Sequence, residues 1–140
     1  RSSDLMVNAG HGWGNDSKGD KKFAPGSHDA NGVEEWYRTR QFADELIKSL
    51  TNKGATVIFT AGDAKQVCDA KRKYNTDLLI SLHMNAAENK KANGMEVFYH
   101  NGDNGSKTLA QTLNGKLESD LGAKTKVKAD NESLQIKSQA

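Results

Sequence analysis

Two histidines and one glutamate stand where remote parts of the chain can bring them together. His11 follows the apolar segment Leu5-Met6-Val7 after Asn8-Ala9-Gly10, and His83 directly ends the apolar run Leu78-Leu79-Ile80-Ser81-Leu82. In an open parallel sheet the carboxyl ends of the strands converge on one edge, and residues just beyond them line the usual ligand crevice. An isolated histidine there is ordinarily a hydrogen-bonded cap of a strand end; two in equivalent positions point instead to a shared site. The third group comes from the helix expected to begin at Glu34-Glu35. Steps of three and four from Glu34 reach Arg38, Gln41, Glu45, Lys48 and Asn52, whereas from Glu35 they reach Thr39, Phe42, Ala43, Leu46 and Leu50. Glu35 therefore faces inward. A buried carboxylate costs free energy unless it is paired, and a metal cation would pair it; the plainer reading is that Glu35 complements the helix macrodipole from the first turn.

Two imidazoles and a carboxylate match the open catalytic zinc pattern, in which ligand bonds are roughly 2.0–2.2 Å and a fourth position takes water or substrate. The lone Cys68 excludes both a disulfide framework within the chain and a thiolate metal site. Magnesium or calcium would call for more oxygen ligands. Zn2+ is the expected ion, held by His11, Glu35 and His83.

The elements that must position these groups alternate. A short strand at Leu5-Met6-Val7 leads into a glycine-rich segment, Gly10 to Gly32, with neither helical nor strand periodicity. A helix from about Glu34 to Asn52 closes at Gly54, a β-branched strand follows at Thr56-Val57-Ile58-Phe59, and a second helix covers Ala64 to Tyr74. The run Leu78 to Leu82 has the continuous apolar character of a central parallel strand. Gly94-Met95-Glu96-Val97-Phe98-Tyr99 alternates as another strand. A third helix near Ser106 to Leu121 carries Leu109, Leu113 and Leu117 four residues apart before Gly122. The segment Lys124 to Ala140 is the least patterned, with one short strand expected at Ser133 to Ile136. This order predicts a single α/β domain over residues 1–140, with a mostly parallel twisted sheet, helices on both faces and the zinc site at the carboxyl ends of the strands.

Bulk composition bounds the function. A chain of 140 residues, 35% hydrophobic and 27% charged, can bury a core without any apolar run long enough to span a bilayer. Its formal charge of +2 is scattered, so no nucleic-acid partner is called for and no membrane insertion is expected, although a mild positive bias suits an anionic cell wall. The opening Arg1-Ser2-Ser3 lacks both Met and the charged-then-apolar pattern of a signal peptide, which reads as a processed or trimmed start.

The strings Val7-Asn8-Ala9-Gly10-His11-Gly12, Glu35 through Leu46, and Ile80-Ser81-Leu82-His83-Met84-Asn85-Ala86 followed by Gly94-Met95-Glu96-Val97-Phe98-Tyr99 resemble, in order and spacing, the successive motifs of the zinc-dependent N-acetylmuramoyl-L-alanine amidases of bacterial autolysins and phage endolysins. The resemblance runs over nearly the whole chain. It implies that His11, Glu35 and His83 take the metal, that the substrate is the amide between the lactyl group of N-acetylmuramic acid and L-alanine in peptidoglycan, and that the protein works outside the cell or in the cell wall. It also implies a catalytic Glu on a further strand shortly after the segment matched by Ser133-Leu134-Gln135-Ile136. Glu132 lies too early to be that residue, so the chain reads as truncated and its catalytic residue as unknown. Loss of such a general acid/base removes on the order of 10²–10⁴-fold in rate. The alternative is a catalytically impaired, zinc-containing wall-binding module; a zinc carboxypeptidase acting on the stem peptide uses the same ligand types but would not be expected to carry this motif set.

Around the site, Trp13 and Asn85 are the candidate substrate contacts. Trp13 either stacks on a sugar ring or covers the core, and Asn85 either bonds substrate or braces the turn after His83. The loop from Gly12 to Gly32 is expected to wall a groove for the stem peptide. His28 ranks below His11 as a ligand, His100 reads as a surface residue, Cys68 as a small hydrophobe in the second helix, and Lys21-Lys22 and Lys90-Lys91 as solvated loops.

Overall fold

The structure is a computed structural model and describes all residues except 1–3, 16–17, 19, 63, 86–94, 122–124, 131–134 and 140. Strand β1 (Asp4–Gly10) opens the chain, and a hairpin of β2 (Gly12–Asn15) and β3 (Lys21–Ala24) follows. Then come α1 (Glu35–Asn52), β4 (Thr56–Gly62), α2 (Ala64–Tyr74), β5 (Leu78–Asn85), β6 (Met95–His100), α3 (Asn104–Leu121), β7 (Thr125–Asp130) and β8 (Gln135–Gln139).

Six strands form one sheet in the order β4-β1-β5-β8-β6-β7. Strand β8 meets β6 antiparallel, and the other neighbouring pairs are parallel. This is the mostly parallel α/β sheet expected from the alternation of elements. One face packs Val7, Ala9, Ile80, Leu82 and Val97 against Ala43 of α1 and Ala110 of α3, with Leu109, Leu113 and Leu117 beside them. The other face packs Met6 and Leu79 against Val67 of α2. Both faces are thus covered, which is why β1 and β5 read as nearly continuous apolar runs.

Buried polar residues within those runs set the register. Asn8 is 1% exposed and stands in line with Thr60 on β4 and Ser81 on β5. Its amide donates to Thr60 Oγ1 (3.3 Å), and Ser81 Oγ donates to Asn8 Oδ1 (2.8 Å). A slip of one residue would turn this row to the opposite face and leave buried polar atoms unpaired. The two strands that deliver His11 and His83 are therefore locked together one layer below the histidines.

Three differences from the sequence reading have physical reasons. The glycine-rich stretch after His11 contains the β2–β3 hairpin, whose cross-strand pair Trp13↔Phe23 supplies the contact that Gly12 and Gly14 conceal from a periodicity test. Strand β7 was not expected: its Lys-Val-Lys alternation is that of a sheet edge, where charge is tolerated and blocks further pairing. Helix α3 starts at Asn104 because Asp103 precedes it as a cap, accepting from Ser106 N at 3.0 Å and Ser106 Oγ at 2.9 Å. Phe42 is 42% exposed at the rim of the inward stripe, while Glu35, Thr39 and Ala43 are buried. The final strand is Gln135–Gln139, and Glu132, Ser133, Leu134, Lys90 and Lys91 lie outside the described residues.

Leu82 is 1% exposed in the middle of the larger cluster. Truncation of such a side chain removes transfer free energy and leaves a cavity. Leu82→Ala is expected to lower unfolding free energy by about 2–5 kcal/mol in urea titrations.

Candidate metal centre

The site forms where β1, β5 and the first turn of α1 meet. Glu35 is 3% exposed, and its carboxylate lies between the two imidazoles: His11 Nε2 is 3.2 Å from Oε2, and His83 Nδ1 is 3.2 Å from Oε1. The two rings stand nearly perpendicular with centroids 5.4 Å apart. One donor atom from each of the three residues lies within 4.8 Å of the others, close enough to share one ion. Two nitrogens and one carboxylate oxygen are the donor set of an open zinc site.

His11 and Glu35 are aimed by backbone constraints. His11 has φ 68°, a left-handed conformation uncommon for a residue with a side chain, and it turns the chain sharply out of β1. That turn is tied down by Gly62 N donating to His11 O at 3.2 Å. Thr39, one turn along α1 from Glu35, donates to Gly10 O at 2.8 Å and so fastens the helix to the end of β1.

The N-terminus of α1 has no side-chain cap. Its first amides are taken by the preceding loop instead: Glu35 N donates to Ser27 O at 2.7 Å and Trp36 N to Pro25 O at 3.1 Å. The same loop orients the carboxylate. Ser27 N and Ser27 Oγ both donate to Glu35 Oε2, at 3.0 and 3.1 Å, and Met84 N donates to Oε1 at 2.8 Å. Such outer contacts hold a ligand in orientation before any ion arrives.

Two glycines make the approach possible. A Cβ on Gly10 would fall on the His83 ring and 2.7 Å from Leu82 O, so the imidazole lies across bare backbone. Gly26 has φ +75°, and a Cβ there would stand 2.6 Å from Glu35 Oε2 and 2.8 Å from His11 Cδ2. Helical spacing placed Thr39 on the inward face without revealing its bond to Gly10 O, and neither Gly26 nor Ser27 was singled out. The only local signal was the Pro25-Gly26 pair, which marks a turn without saying what it embraces.

Burial opposes the charge on Glu35, but hydrogen bonds from His83, Met84 and Ser27 and the nearby His11 outweigh it and bring its pKa from 4.5 down to about 2. Burial also lowers the pKa of His11, with Glu35 opposing and His83 adding to the shift. Both residues thus favour the states that a divalent ion requires, an ionised carboxylate and a neutral imidazole.

The structure brings together the three expected ligands and leaves others aside. His28 is exposed in an isolated bridge with Glu34, and His100 is exposed at the end of β6. Trp13 is 66% exposed on β2, two residues from His11. The backbone of Asn85 closes β5, while the side chains of Asn85 and Cys68 lie outside the described residues.

Two outcomes follow from this geometry. Gly10→Ala is expected to displace His83 and weaken metal binding by about 10–100-fold, the usual effect of disturbing a ligand's support, as read by zinc titration alongside circular dichroism. In the metal-free protein the depressed pKa of Glu35 stabilises the fold fully above pH 4.5, and that contribution of at most about 3 kcal/mol disappears as pH falls toward 2. His11 adds a loss of the same sign below its ordinary 6.5. Urea unfolding at stepped pH is expected to show a shallower acid loss for Glu35→Gln than for the parent.

Comparison with known proteins places this arrangement. A family model described as N-acetylmuramoyl-L-alanine amidase matches residues 5–139. The chain is 32% identical over 114 residues to the probable cell wall amidase LytH of Staphylococcus epidermidis, and equally so to that of Staphylococcus aureus. The matched region is 81% of this chain and 36% of those relatives' length. Among solved structures, the N-acetylmuramoyl-L-alanine amidase of Clostridium difficile 630 superposes with a TM-score of 0.75 at 23% identity, covering 96% of this chain and 78% of that one. The amidase AmiC2 of Nostoc punctiforme gives 0.77 at 16% identity, covering 97% and 77%. At these identities the superpositions speak for the fold, while the family model and the staphylococcal relatives speak for descent. The chain belongs to the N-acetylmuramoyl-L-alanine amidase family.

Proposed function

We propose that residues 1–140 are the catalytic domain of a peptidoglycan hydrolase that cleaves the amide between N-acetylmuramic acid and the L-alanine of the stem peptide, with zinc held by His11, Glu35 and His83. The observation that carries this reading is the convergence of two imidazoles on one buried carboxylate at the carboxyl edge of the sheet. Bound there, zinc supplies polarisation of the scissile carbonyl, acidification of a water molecule and positive charge opposite the developing oxyanion.

The chain's own residues prepare that chemistry. Met84 N and Ser27 hold the Glu35 carboxylate in a fixed plane, and Gly10 and Gly26 let the ligands approach without intervening side chains. Both imidazoles are partly exposed, so an ion held by them would face solvent, the side from which a substrate carbonyl would enter. Trp13 and Asn85 are the substrate contacts in this reading, each two residues along the chain from a histidine of the metal centre. No helix among the described residues is long and apolar enough to cross a membrane. The relatives are named as cell wall amidases, which supports action outside the cell or in the wall.

Elemental analysis after purification without added metal tests the site. About one zinc per chain is expected, lost in His83→Ala and Glu35→Ala, together with release of L-alanine amino groups from muramyl peptides. A parent that takes up no zinc even when it is added back overturns the proposal, and release of D-amino acids in place of L-alanine amines would mark a carboxypeptidase.

A further inference from the structure

A row of four aromatic side chains runs from the hairpin to the start of α1 beside the metal centre. Trp13 on β2 packs on its cross-strand partner Phe23 with centroids 5.3 Å apart, Phe23 meets Trp36 edge-on at 5.5 Å, and Trp36 meets Tyr37 at 5.8 Å. Trp36 directly follows the candidate ligand Glu35, and Trp13 stands two residues from the candidate ligand His11, so the row adjoins two of the three along the chain. Its middle members are half-buried, while its ends are open: Trp13 is 66% exposed and Tyr37 46%.

This arrangement does little for the core. Neither hydrophobic cluster includes any of the four residues, yet both tryptophans of the chain are placed here. Exposed aromatic surface of this kind marks a binding face. Within the row, the indole N–H of Trp36 donates to Glu34 at 3.4 Å, and the exposed aromatic surface lies at the two ends, Trp13 and Tyr37.

We propose that this row is a glycan subsite, on which pyranose rings of the N-acetylhexosamine strand stack while the lactyl amide reaches the metal centre; the inference rests on the amidase reading above. The scissile amide joins a polymer of uncharged pyranose rings to a short peptide bearing carboxylates. The apolar C–H faces of pyranose chairs match aromatic surfaces, whereas carboxylates would be met by cationic side chains. The row therefore takes the glycan half of the substrate, and the stem peptide leaves the metal centre in another direction. The hairpin, expected from sequence to wall a peptide groove, becomes the sugar side of the cleft.

The placement of both tryptophans gives a direct readout. The probe is chitotetraose, a β-1,4-linked tetramer of N-acetylglucosamine without any peptide, titrated into the full chain by tryptophan fluorescence and by calorimetry. Saturable binding is expected, weakened about tenfold in Trp13→Ala, the loss of one good aromatic contact, and kept within a few-fold in Trp13→Phe, which preserves the pair with Phe23. Tyr37→Ala, on the exposed face of α1 and independent of hairpin folding, is expected to weaken binding as well. Zinc content is expected to be unchanged in all three variants. Binding that is absent from the parent, or equal in parent, Trp13→Ala and Tyr37→Ala, overturns the proposal, as does a fluorescence response to the tripeptide L-Ala-D-Glu-L-Lys in place of the sugar. Zinc uptake and hydrolysis of a muramyl dipeptide report the metal centre separately, so a failed amidase reading and a failed glycan subsite give different results.

Discussion

The burial of one ionised carboxylate constrains everything around it. Glu35 sits at the first turn of α1, 3% exposed, and a charge so placed is unfavourable unless it is surrounded by donors. The fold supplies them from three directions: His11 after β1, His83 and Met84 N at the end of β5, and Ser27 from the loop before the helix. Their combined pull brings its pKa down to about 2 against the opposing effect of burial. The same electrostatics that keep Glu35 ionised prepare a cradle for a divalent cation.

Bringing three groups to one point required the backbone to yield space. Gly10 lets the His83 ring lie across β1, and Gly26, in a left-handed conformation, brings the loop against both Glu35 and His11. The polar row Thr60, Asn8 and Ser81 fixes the register one layer below, so the imidazoles inherit their separation from a pairing that cannot slip. Rigidity under the site and openness above it are complementary. The sheet edge presents the three candidate ligands, and an aromatic row runs from the hairpin to the start of α1.

Much of this was legible from residue order. The continuous apolar runs Leu5 to Val7 and Leu78 to Leu82 identified central strands because both faces of the sheet are covered. The stripe containing Glu35, Thr39 and Ala43 identified the inward face of α1 because helical geometry repeats every 3.6 residues regardless of what lies opposite. These two regularities raised His11, Glu35 and His83 as candidates, and the resemblance to the family's motifs made them the expected ligands.

What the linear pattern did not reveal depends on contacts between distant segments. The β2–β3 hairpin is held by Trp13 meeting Phe23, and β7 by an edge position that no local periodicity announces. Ser27 and Gly26 acquire their roles only once the loop folds back over the start of α1, since a hydrogen bond to Glu35 Oε2 and a close approach to His11 are properties of the folded chain. The sequence by itself determined which residues face inward and which types of group are available, because periodicity and chemistry are local. Only the tertiary structure decided how closely those groups meet and which surface is left exposed beside them, because distances between segments remote in the chain are set by strand register and backbone clearance.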